Sequence, residues 1–335
     1  MNRMKKCMFG VVALGFLSAQ QKAEAALIKV DGSSTVFPIT EAVAEEFQAA
    51  HKTRVTVGIS GTGGGFKKFC RGETDVQNAS RPISKEEMAS CKAAGISYFE
   101  LPIAFDAISI VVSPKNTWAQ EMTVEELKKV WEPSAQGKIT RWNQIRPEWP
   151  NAEIKLFGAG SDSGTFDYFT EAVVGKSKSS RGDYTASEDD NTLVQGVANE
   201  PNALGYMPHS YFEMNKNRLK AVAVISNDSR APQAGKAVLP TDQNVESGEY
   251  FPLSRPVFIY VSSASATKPE VRGFTEFYLK NAPGLVKQVK YVSLPGAAYE
   301  LGLKNFQTKK LGTAFGGESK VGVRIEELLK REAQL

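Results

Sequence analysis

Three times in this chain a short β-forming run ends in a dense cluster of serine, threonine and glycine. Each cluster then leads into a helical pattern. Leu27–Val30 runs into Asp31-Gly32-Ser33-Ser34-Thr35, and Pro38 opens a helix with Ile39, Val43 and Phe47 at four-residue spacing. Arg54–Ile59 alternates as a second strand, and Ser60-Gly61-Thr62-Gly63-Gly64-Gly65 separates it from a short helix carrying Phe66, Phe69 and Cys70. Ile154–Phe157 leads through Gly158-Ala159-Gly160-Ser161-Asp162-Ser163-Gly164-Thr165 to Phe166, Phe169 and Val173 on one helix face. The β-α-β-α order predicts a mainly parallel sheet with helices on its faces.

The same turns constrain chemistry. A helix N-terminus presents unpaired N–H groups and a partial positive charge. Hydroxyls add short donors without charge, and glycine lets the backbone come close. One such turn is an ordinary cap. Three together suit a compact oxyanion with many acceptor oxygens. Catalytic and nucleotide motifs fail on inspection. The only Gly-Lys-Ser end, Gly175-Lys176-Ser177, has Thr170 where a phosphate loop needs glycine; the dinucleotide fingerprint from Gly61 fails at Phe66; and Asp162 occupies the nucleophile place of a Gly-x-Ser-x-Gly elbow.

The remaining chain fits a two-part molecule. Ile103–Val112 reads as a long apolar strand leaving a first lobe, and Val257–Val261 as a similar strand returning to it. Val124–Val130, Phe274–Leu279 and Ile325–Leu329 read as helices, and the polar stretch 175–190 as a surface loop. Trp118, Trp131, Trp142 and Trp149 read as packing residues, and His51 as a surface residue.

The N-terminus carries an export signal. Arg3, Lys5 and Lys6 precede an apolar run from Cys7 to Ala19, and Ala23-Glu24-Ala25 offers a small-x-small cleavage site, preferred to one after Ala19. Such a run rises only about 20 Å as a helix, short of the roughly 30 Å hydrocarbon core of a membrane. Removal of residues 1–25 leaves 37 basic and 36 acidic side chains, so the whole-chain charge of +4 belongs mostly to the leader. That balance argues against nucleic acid as a partner. It also leaves two cysteines, Cys70 and Cys91, which an oxidising compartment joins. With two histidines and no CxxC pair, no metal site is expected.

Taken in order, Asp31-Gly-Ser-Ser-Thr-Val-Phe-Pro38, Ser60-Gly-Thr-Gly-Gly-Gly-Phe66, Asn78-Ala-Ser-Arg-Pro-Ile83, Lys138-Ile-Thr-Arg-Trp-Asn143, Ser161-Asp-Ser-Gly-Thr-Phe-Asp-Tyr-Phe169 and Gly205-Tyr206 resemble the phosphate-binding proteins of bacterial ABC importers, the PstS type in its cyanobacterial-like branch. The resemblance covers nearly the whole mature chain. It implies a two-lobed α/β Venus-flytrap fold with two hinge strands: residues 26–107 as the first part of lobe I, 108–258 as lobe II and 259–335 as the second part of lobe I. It implies periplasmic capture of inorganic phosphate by a monomer, delivery to a membrane permease, and neither cofactor nor catalysis. Carried over by position, Ser34, Thr35, Thr62, Ser161, Ser163, Gly164 and Thr165 would line the site.

Two departures alter that site. The family's aspartate after Ala-Ser is Arg81 here, and its arginine before Ser-Gly-Thr is Ala159. Arg81 would then supply the guanidinium, on a loop that the Cys70–Cys91 bridge constrains. Asp162, inside the third turn, would either accept the proton that distinguishes phosphate from sulfate, cap the Phe166 helix, or pair with Arg81. Asp106, at the first crossover, is expected to orient backbone rather than ligand. Alternatives are a receptor for sulfate, phosphite or molybdate, a secreted phosphatase, and an adhesion protein using Arg181-Gly182-Asp183.

Overall fold

A computed structural model describes residues 27–335, so the export signal and its cleavage point lie outside the described residues. Among the described residues no helix is long and apolar enough to cross a membrane. The chain starts with β1 (Leu27–Gly32), α1 (Phe37–His51), β2 (Arg54–Val57), α2 (Gly61–Phe69), β3 (Val76–Ala79), α3 (Lys85–Ala93) and the long β4 (Tyr98–Val112). Its middle comprises β5 (Glu121–Thr123), α4 (Val124–Trp131), β6 (Lys155–Ala159), α5 (Gly164–Phe169), β7 (Thr185–Ser187), α6 (Asp190–Asn199), β8 (Ala203–Pro208), α7 (His209–Met214), β9 (Lys220–Ala221), β10 (Ala223–Ile225), β11 (Ala237–Val238) and α8 (Asp242–Glu246). It returns through β12 (Ser254–Ser262) to α9 (Pro269–Gln288), α10 (Gly296–Gln307) and α11 (Ile325–Glu332).

One sheet runs through the molecule in the order β2-β1-β3-β12-β4-β8-β6-β7. β1 lies parallel to β2 and β3, and β6 parallel to β7 and β8, as strand–helix–strand connections require. β12 enters antiparallel between β3 and β4. β4 is the joint. It pairs with β12 from Tyr98 to Ala107 and with β8 from Ile108 to Val112. All 15 of its residues are buried, which explains its apolar sequence. It starts earlier than the apolar run because buried Glu100 is satisfied locally: it accepts from the Tyr260 hydroxyl at 2.5 Å and the Ala314 N–H at 2.8 Å.

One buried core runs through both halves. Phe47 on α1 packs edge-on against Phe274 and Phe277 of α9. Trp131 on α4 packs against Phe169, Tyr184 and Tyr206. Trp118, Trp142 and Trp149 form a second cluster with ring centroids 4.9–5.8 Å apart. Cys70 and Cys91 are joined, tying the end of α2 to α3.

Two local expectations change. The second glycine-rich turn is not a loop ahead of a helix; α2 already starts at Gly61. Its glycines serve packing instead: a methyl group at Gly65 would sit 2.6 Å from the Gly32 Cα. The polar stretch 175–190 is not wholly surface. Arg181 is 4% exposed and donates to the Val130 and Ile139 carbonyls and to Asp183. An adhesion tripeptide whose arginine is buried in this way cannot be presented to a receptor.

Candidate functional site

The three turns follow β1, β2 and β6, at strand ends where a parallel sheet presents its loops to ligands. Because β4 carries both half-sheets, the first two turns face the third. Thr35 Oγ1 and Thr165 Oγ1 share a hydrogen bond at 3.1 Å across the interface. Thr62 Oγ1 shares one with Ser80 Oγ at 3.1 Å and accepts the Ser80 N–H. Gly164, at the head of α5, meets that pair so closely that a methyl group there would lie 2.4 Å from Ser80 Oγ. The Gly63 N–H donates to the Asp162 carbonyl at 2.9 Å, and the Tyr211 hydroxyl to the Ser34 carbonyl at 3.3 Å. Ser34, Thr35, Thr62, Ser163 and Thr165 are all buried, and the contacts above bring Thr35 to Thr165 and Thr62 to Gly164.

The guanidinium among them is Arg255, which sequence reasoning missed. It is 1% exposed. It donates to the Gly164 carbonyl at 3.0 Å, to Thr165 Oγ1 at 2.8 Å and to Thr35 Oγ1 at 3.3 Å. Asp106 pairs with it at 3.0 Å, so Asp106 orients a side chain rather than backbone. Burial pushes the Asp106 carboxyl up, and Arg255 partly offsets that. The only local signal was a charged residue entering an apolar strand at Ser254-Arg255-Pro256.

Arg81 lies beside the second turn, its Nη2 3.8 Å from where a Gly63 methyl group would sit, and is engaged by protein. Its Nε donates to Asp167 at 2.7 Å, and Nη1 and Nη2 each donate to Glu87 at 2.8 Å. Glu87 also accepts the Ser84 N–H in the capping box of α3. Burial opposes the charge on Arg81, but Glu87 and Asp167 raise its pKa above the ordinary guanidinium value. Asp167 belongs to the β6 half and Arg81 to the β3 half, so this buried ion pair spans the interface.

Ser161 and the Asp162 carboxylate are not brought into this interior. Ser161 is exposed. Asp162 Oδ1 meets Lys67 at 2.9 Å with 46% of its side chain exposed, so its partner is Lys67 and not Arg81. The cap of α5 is Ser163, whose hydroxyl accepts the Thr165 N–H at 3.1 Å. A different carboxyl faces the first turn. Asp190, at the head of α6, is 2% exposed, and its Oδ2 has no hydrogen-bond partner. Burial raises its pKa to about 7; the Ser34 hydroxyl beside it lowers it, and nearby Asp106 raises it further. Asp189 hid it from sequence reading, because Asp189 is the actual helix cap.

The comparisons with known proteins agree with this architecture. A model of the PBP superfamily domain matches residues 18–282. The chain belongs to the PBP superfamily. Among PBP relatives, Protein SphX of Synechococcus elongatus is 52% identical over 314 residues, covering 93% of this chain and 91% of that one. The phosphate-binding protein PstS of Staphylococcus saprophyticus is 37% identical over 297 residues, covering 88% and 86%. A solved structure described as a possible phosphate binding protein from Planctomyces limnophilus is 47% identical, with a TM-score of 0.62 over 85% of this chain and 99% of that one. A putative phosphate ABC transporter substrate-binding protein from Clostridium perfringens, solved with bound phosphate, is 25% identical with a TM-score of 0.64 over 80% and 100%. The two-lobed α/β fold expected from the resemblance is thus the PBP fold.

Proposed function

We propose that this protein captures inorganic phosphate between its lobes and hands it to the membrane permease of an ABC importer. The observation that carries the reading is Arg255. It is a buried guanidinium aimed at the Thr35 and Thr165 hydroxyls, where three helix-heading turns meet. Relatives named as phosphate-binding proteins cover most of the chain and support the choice of anion. Ser34, Thr35, Thr62, Ser163, Gly164, Thr165 and Arg255 supply the donors. Arg81 acts in closure through Asp167, while Ser161 and Asp162 act at the rim. The closing bodies are 27–107 with 259–335 against 108–258, flexing where β4 changes partners and along β12.

Phosphate at neutral pH keeps a proton that sulfate lacks, so a donor-only site would take both. The acceptor proposed earlier for Asp162 is better supplied by Asp190, a buried carboxyl beside Ser34 with one oxygen unpartnered. The reading is of binding without catalysis, and the Ser–His contact among the described residues does not argue otherwise. Ser109 Oγ meets His209 Nδ1 at 3.0 Å, with Asp242 3.6 Å from Nε2, but Ser109 is fully buried inside β4 and out of reach of a substrate. The protein acts as an exported monomer, without cofactor and without nucleic acid.

Unfolding the purified protein and assaying the released anion tests the reading directly, with stoichiometric phosphate as the expected result. Calorimetry with phosphate, sulfate, phosphite and molybdate separates the anions. Turnover of a phosphomonoester would instead establish a hydrolase.

A further inference from the structure

We infer that residues 312–335 form a third crossing between the lobes, a strap that holds the closed arrangement and slows release of the bound anion. The inference rests on the cleft being the binding site. The segment lies beyond residue 282, where the family match ends.

It starts on the β12 half. The Gly312 N–H donates to the Tyr98 carbonyl at 2.9 Å, and the Ala314 N–H to Glu100 at 2.8 Å. Phe315 packs edge-on against Phe258 of β12, and Glu318 pairs with Lys85 of α3 at 2.6 Å. The chain then leaves that half. The Gly322 N–H donates to the Tyr168 hydroxyl on α5 at 3.0 Å, and the Ser319 hydroxyl lies beside Glu171, where it lowers a carboxyl that burial raises. Gly322 has φ +77°, and a methyl group there would fall 2.1 Å from the Phe251 ring. Finally the strap returns. Ile325 and Leu328 are buried, Arg331 covers the Phe315 ring at 5.3 Å, and the Glu332 carbonyl accepts from Asn305 of α10 at 3.1 Å.

A segment that only covered exposed core would anchor to one half. This one is anchored to the β12 half at both ends and to the α5 half in its middle. Tyr168 itself donates to the Ser254 carbonyl at 2.7 Å, so the strap grips lobe II beside a hinge strand. Opening the lobes moves Tyr168 against the strap's two fixed ends. The contact at Gly322 therefore favours closure, and closure governs how long the anion stays.

Gly322→Ala breaks this grip through the Phe251 clash and touches no residue assigned to the cleft. It is expected to raise the phosphate dissociation rate about three- to tenfold, with association changed less than twofold. Dissociation within twofold of the parent protein, with faster amide exchange over 318–324, would overturn the inference. Should that variant not fold, the parent protein decides. Exchange of the Gly322 amide is expected to slow when phosphate saturates the cleft, and equal exchange with and without phosphate overturns the strap. If calorimetry finds no phosphate binding at all, the reading of the cleft fails instead. The strap then stands or falls on X-ray scattering, where Gly322→Ala should be more expanded than the parent protein and an unchanged radius refutes it.

Discussion

Arg255 lies in β12, more than two hundred positions from Thr35, yet its guanidinium reaches the Thr35 hydroxyl at 3.3 Å. Replacing it by lysine keeps a charge for Asp106 but loses the planar fork. Arg255→Lys is expected to weaken phosphate binding about 10–100-fold, the range for a lost charged hydrogen bond, as read by calorimetry. Asp190→Asn addresses a different property. On the proposed reading, sulfate is accepted only when Asp190 carries a proton to donate. In the parent protein sulfate competition should weaken as pH rises above about 7, by up to about tenfold per unit. In Asp190→Asn it should stay flat, and a pH-dependent profile in that variant would remove Asp190 from the discrimination. The donors from the turns were legible because a Ser-Gly cluster at a helix head is local chemistry. Arg255 was not, because nothing near it in sequence says that β12 threads between β3 and β4. Asp162 misled for the converse reason: its place in the turn is local, but Lys67 draws its side chain outward.

Helices and strands formed largely where periodicity put them. α1 followed its spacing and β4 its apolar run. The Phe166 helix keeps Phe166, Phe169 and Val173 buried but passes from α5 into a π-helical turn at Thr170–Val174. α2 did not follow its pattern. Each glycine costs about 1 kcal/mol of helix propensity, so a Gly-rich run reads as loop. Here the glycines are needed because the helix packs so close to Gly32 and Gln77 that a side chain at Gly65 would clash, and tertiary packing overrides propensity. The anchor of α1 on α9 is conventional packing. Phe47→Ala should cost about 3–5 kcal/mol in urea unfolding, with the anion-binding stoichiometry of the folded fraction unchanged. The Cys70–Cys91 bridge closes a short span between α2 and α3. Its reduction should cost about 3 kcal/mol by the chain-entropy account, measured as a shift in the denaturation midpoint.

For the molecule as a whole, the C-terminal segment brings in an unusual electrostatic term. Glu100 and Glu332 are buried near one another, and both Glu332 side-chain oxygens lack a partner. Burial pushes Glu100 up to about 7, and burial with the Glu100 charge pushes Glu332 well above the ordinary carboxyl value. Above the usual carboxylate range the folded protein therefore still holds protons that the unfolded chain has already released. Stability from this pair is complete at acid pH and is lost as pH climbs through about 7 and beyond. Glu332→Gln should flatten the fall in melting temperature between mildly acid and alkaline buffer; an equal fall in both proteins would refute the assignment.

β4 belongs to both half-sheets, pairing with β12 in one and β8 in the other, and it is a single run of 15 buried residues. Neither half can melt and leave the other with an intact sheet, because the first strand to fray would be common property. The two halves, proposed above to close on each other, should therefore denature as one cooperative unit. A calorimetric scan is expected to show a single peak whose van't Hoff and calorimetric enthalpies agree.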